Sequence, residues 1–88
     1  MSLNRSERHA AGPAVRLDMM SAGERCQVVD VRGGPGMVRR LTAMGIVPGV
    51  GVTVVSNARG AGPMIVGVGP GRLGLGRGMA RHVLVRPV

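Results

Sequence analysis

No phenylalanine, tyrosine or tryptophan occurs anywhere in this 88-residue chain, so its core has to be assembled from valine, leucine, isoleucine, methionine and alanine. Aromatic rings are the largest single contributors to most cores, and a chain that forgoes them must bring its backbone layers close together. Small interlocking aliphatic side chains suit a tight barrel better than a wide ligand pocket. Sixteen glycines point the same way, toward many turns and close backbone approaches.

The length allows one domain, and a hydrophobic fraction of 44% is too high for a disordered chain. Residues 1–13, ending at Gly12-Pro13, are polar without a period and read as a flexible tail, leaving 14–88 as the domain. Val15-Arg16-Leu17 opens it as a short strand, followed by a helical turn that Gly23 stops. Residues 26–32 are rich in β-branched side chains and predict a strand broken by Gly33-Gly34-Pro35-Gly36. The period then changes. Met37, Leu41 and Met44 fall at i, i+4 and i+7 on one helix face, while Arg39, Arg40 and Thr42 lie off it. Gly45 is placed to cap that helix in a left-handed conformation with Ile46 folding back, and Pro48-Gly49 forbids continuation. Strand-like alternation follows at Val50–Val55, Met64–Val68, Leu73–Leu75 and His82–Arg86, with one helical turn expected at Gly78–Arg81. The sum is mainly β, a small, partly open barrel of about five strands with one helix after the second.

Several chemistries are excluded. The chain has no lysine, so neither a Schiff-base amine nor a phosphate loop ending in Gly-Lys is available. A Gly-x-Gly-x-x-Gly occurs at Gly69, Gly71 and Gly74, but Pro70 interrupts it and no helix follows, so it reads as a hairpin turn and no cofactor is expected. Residues 31–88 contain no acid and one histidine, too little for acid–base catalysis, and Ser21 and Ser56 lack an activating neighbour. The chain is not read as an enzyme. His9, His82, Cys26 and the early acids have no metal-site spacing, which leaves only a bridging site between two copies open. Cys26 reads as a small buried hydrophobe and His82 as a surface residue at a strand start. Met37, Met44 and Met64 are expected in the core and Met79 on the surface. One cysteine, no apolar run of membrane-spanning length and no signal-peptide stretch are the pattern of a cytoplasmic protein.

Charge is strongly segregated. Residues 1–30 hold four arginines and four acids; residues 31–88 hold eight arginines and none, so the whole net charge of +8 lies in the later part. That field suits acidic protein surfaces, anionic lipid or nucleic acid. A basic nucleic-acid-binding barrel is the alternative function on this ground, although single-strand readers stack bases on aromatics and this chain has none.

The segment Arg39-Arg40-Leu41-Thr42-Ala43-Met44-Gly45-Ile46-Val47-Pro48-Gly49 resembles the signature of the FeoA family. Leu17, Met20 and Gly23, then Val29 and Val31, Gly62-Pro63, Val66 and Val68, and finally Leu73, Leu75, Ala80, Val83 and Val85 match the rest of the pattern over roughly residues 15–86. The resemblance implies an SH3-like barrel with its helix lying against it. It further implies a ferrous-iron transport accessory docking on the cytosolic part of the membrane permease FeoB. Arg39, Arg40, Met44, Gly45, Ile46, Pro48 and Gly49 are the expected contact, and weak self-association is compatible with it. Gly74 stands where the family usually has alanine, and Gly76-Arg77-Gly78 lacks the family's acidic residues, which implies looser final strands.

Overall fold

The computed structural model describes residues 13–58 and 62–88. The tail expectation for residues 1–13 and the candidate ligand His9 therefore lie outside the described residues, apart from Pro13; so does Arg59.

Six strands form one antiparallel sheet: β1 (Val15–Arg16), β2 (Arg25–Val31), β3 (Gly51–Ser56), β4 (Met64–Val68), β5 (Gly71–Leu75) and β6 (Val83–Pro87), in the order β1-β6-β2-β3-β4-β5. The expected opening strand is β1, two residues long, whose Val15 and Arg16 pair with Val85 and Leu84; counted with the others it makes six strands where about five were expected. Between β2 and β3 lies α1 (Pro35–Ala43), and α2 (Arg77–Ala80) is the expected helical turn. A 3-10 turn over Leu17–Met19 follows β1.

Alternation does the sorting. Cys26 and Val28 of β2, Val52 and Val54 of β3, Met64 and Val66 of β4, Leu75 of β5, and Val83 and Val85 of β6 all point to one face and are buried. Register places these residues opposite one another, as in Cys26 with Val52, Val54 with Val66, Met64 with Leu75 and Val28 with Val85. Register shifts between Val28 and Asp30 and between Val54 and Ser56 mark two bulges, which bend the strands and wrap the sheet around its own apolar face. Leu17, Met20, Leu41, Ile46 and Ala80 fill that face from the helices and turns.

The β4–β5 hairpin shows why its glycines are needed. Val68 pairs with Gly71, so the loop is Gly69-Pro70 alone. Gly69 has a φ of +56° and proline fixes the next φ negative, the sign pattern of a type II′ turn whose twist suits a hairpin. The Gly-x-Gly-x-x-Gly match is thus a hairpin.

Two surface assignments change. Met79 is partly buried against the core, because the single turn of α2 faces it inward beside buried Ala80. His82 is half-buried rather than exposed and precedes β6, in the turn after α2. Its carbonyl accepts the Arg32 N–H at 2.8 Å.

Candidate partner-docking surface

The expected contact segment begins on α1. Pro35 occupies the first turn, where a missing N–H is harmless, and Gly34 is the N-cap. Leu41 is fully buried; Arg39 and Arg40 point outward. Arg40 lies in the last turn, where a cation complements the helix dipole.

The helix ends in a Schellman motif. Gly45 has a φ of +83°; its N–H bonds Thr42 O at 2.9 Å, and the Ile46 N–H bonds Leu41 O at 3.0 Å. The chain then folds back onto β2. The Gly49 N–H donates to Val28 O at 2.8 Å, the Val28 N–H to Val50 O at 2.9 Å, and Gln27 Nε2 to Gly49 O at 3.1 Å. A segment with this many backbone ties is a preset surface rather than a loose loop.

The structure divides the seven expected contact residues. Arg39, Arg40, Gly45, Pro48 and Gly49 are exposed and Met44 is partly buried, all within one continuous helix–turn segment. Ile46 is the exception, with 0% exposure. The Schellman geometry carries its side chain back over Leu41 into the core, so Ile46 holds the surface from beneath and is not part of it. Gln27 was absent from the sequence-based set; its link to Gly49 crosses 22 positions and no local pattern signals it.

Electrostatics favour this surface as an acceptor of acid groups. The three described acids are engaged early in the chain. Asp18 pairs with Arg16 at 2.9 Å, Asp30 with Arg32 at 3.3 Å, and Glu24 accepts the Ser21 N–H at 2.6 Å. Among the described residues, Arg39 and Arg40 meet no carboxylate. Arg77 donates from Nη2 to Ala58 O and closes the barrel end, whereas Arg86 lies on β6 opposite Gln27.

No group of three metal-ligating side chains occurs among the described residues. Cys26 is 1% exposed, with its thiol 3.6 Å from Val52 O. Burial, and secondarily the Glu24 charge, raises its pKa from 9.0 to about 11. The folded state therefore holds this proton more tightly than the unfolded chain. The stability this contributes is complete below about pH 9 and is lost as pH rises toward 11. In the native protein at pH 8, iodoacetamide should react with Cys26 far more slowly than in urea-unfolded protein; equal rates would contradict a buried, protonated thiol.

Comparison with known proteins matches residues 15–87 to the FeoA domain model. The crystal structure of an iron uptake regulatory protein, FeoA, is 34% identical with a TM-score of 0.81, covering 86% of this chain and 100% of that one. The FeoA of Stenotrophomonas maltophilia, crystallised with zinc and described as an SH3 domain protein, is 27% identical with a TM-score of 0.69, covering 84% of this chain and 89% of that one. A manganese-dependent transcriptional repressor is 23% identical with a TM-score of 0.80 over 86% of this chain but 42% of its own, a likeness of fold alone. Among curated protein sequences no significant match is found. No helix among the described residues is long and apolar enough to cross a membrane.

Proposed function

The chain belongs to the FeoA family, and from that premise we propose that it is a cytoplasmic accessory of bacterial ferrous-iron uptake that docks on the cytosolic part of a FeoB-type permease through α1 and the turn after it. The family is non-enzymatic and associated with ferrous-iron transport. The Stenotrophomonas relative has been put forward as a ferrous iron transport activating factor, which supports the same role for this chain.

The observation that carries the docking assignment is the pairing of a rigid helix end with two outward arginines that meet no acid among the described residues. A preorganised surface loses little entropy on binding, and unpaired cations steer an acidic partner during encounter. Arg39→Glu/Arg40→Glu reverses that charge without touching the core. Binding to purified FeoB from the same organism, followed with a labelled protein at physiological salt, should weaken at least about tenfold, with unfolding unchanged. Undiminished binding and undiminished iron uptake would remove this surface from the interface. Binding of random RNA in place of FeoB would transfer the function to nucleic acid.

A further inference from the structure

We propose that the outer edge of β5 is a second docking element, which accepts an extended segment of alternating acidic and apolar residues as an added strand. β5 ends the sheet order and pairs on one side only, with β4. Val68 and Gly71 flank a two-residue turn and so form a hydrogen-bonded pair; alternation then turns the backbone groups of Arg72 and Gly74 away from β4. Among the described residues neither one's N–H or C=O enters a bond to a turn, loop or cap, and both residues are exposed. An added strand would supply the missing ladder.

The chemistry of the occupant follows from the two faces. Leu73 and Leu75 turn toward the core side and Leu73 is only partly buried, so residues of the incoming strand on that face meet apolar surface at Leu73. Arg72 and Gly74 lie on the outer side, where Arg72 has no ion-pair partner among the described residues. Residues 31–88 hold no acid, so β5 and its sheet neighbours β4 and β3 carry no carboxylate that would repel one. Gly74 leaves space beside Arg72; an added Cβ there would meet only Ile65, at 3.8 Å.

A charge on an edge strand commonly serves to prevent aggregation. Arg72 does that selectively. Edge-to-edge pairing of two copies would bring the two Arg72 side chains onto one face of molecules that each carry +8, which disfavours self-pairing. An acidic strand meets the opposite sign. This element is separate from the α1 surface and does not depend on the docking assigned there.

The test is amide hydrogen exchange of the 15N-labelled protein with a short synthetic peptide of alternating glutamate and valine. The expected result is slowed exchange at the Arg72 and Gly74 amides. Replacing glutamate by lysine in the peptide, or Arg72→Glu in the protein, should weaken binding about tenfold or more. An N-methylated peptide of the same charge should not bind. Gly74→Pro removes an outward N–H that no ladder bond uses, and should abolish protection while the rest of the spectrum is retained. Arg39→Glu/Arg40→Glu should leave the effect intact. Absence of protection at β5, protection centred elsewhere, equal binding of the N-methylated peptide, or self-association through β5 would each overturn the proposal.

Discussion

Ile46→Ala should lower the unfolding free energy by about 2–5 kcal/mol, as expected for truncating a large, fully buried aliphatic side chain. A chain of this length holds roughly 4–13 kcal/mol in all, so the loss is a large share of the total. The melting temperature should fall by roughly 10–30 °C, followed by far-ultraviolet circular dichroism because the protein has no intrinsic fluorophore. The cause is specific. Ile46 is 0% exposed, its N–H closes the Schellman motif on Leu41 O, and it is the fully buried side chain of this turn, Met44 and Val50 packing only partly against the core. Removing its methyl groups leaves a cavity beneath the helix end. Ile46→Val should cost only about 0.5–1.5 kcal/mol and leave permease binding unchanged, because the side chain supports the docking surface without facing the partner. Stability of Ile46→Ala within about 0.5 kcal/mol of the parent would contradict the anchoring role, since that is the range of surface substitutions.

The second large effect is expected at Asn57. Its Nδ2 donates to Asp18 O at 3.0 Å and to Met20 O at 2.7 Å, joining the end of β3 to the 3-10 turn across almost 40 positions of sequence. That turn delivers Leu17 and Met20 to the core. Asn57→Ala removes both donors and leaves two partly buried carbonyls unpaired, a loss of about 2–3 kcal/mol. Asn57→Asp is the sharper control. It keeps the shape, yet an ionised carboxylate only accepts hydrogen bonds and would face two carbonyl oxygens, so it should destabilise at least as much as alanine. Chemical denaturation of the two variants measures both effects. If aspartate restored parental stability, the bonds to Asp18 and Met20 would not be what holds the turn.

Both residues bear on function through geometry. The α1 surface is useful to a partner only if it is presented in one conformation, and Ile46 holds it from below. Asn57 secures the opposite end of the barrel, where Arg77 also reaches across to Ala58. β5 belongs to the same sheet and ends it, which leaves a rigid frame with an open edge.

Much of this was legible in the residues. Alternation at Val52, Val54, Val66, Val83 and Val85 settles strand and inner face together, because a side chain's side of a sheet follows from its parity. The 3.6-residue period of Met37, Leu41 and Met44 marks the helix, and Gly45 marks its end, since only glycine takes that conformation without strain. The resemblance around Arg39–Gly49 pointed to the family. Tertiary structure decided the rest. Met79 carries the same apolar label as any exposed hydrophobe, and only the fold turned it inward; Ile46, expected both to fold back after Gly45 and to meet the partner, was sorted by its burial. The bulges after Val28 and Val54, the Gln27–Gly49 and Asn57–Met20 bonds, and the place of β5 at the sheet edge all depend on pairings between distant segments. A local pattern records each residue's preference for an environment, while strand order, register and edges are set by which distant preferences are satisfied together, and that is a property of the packed chain alone.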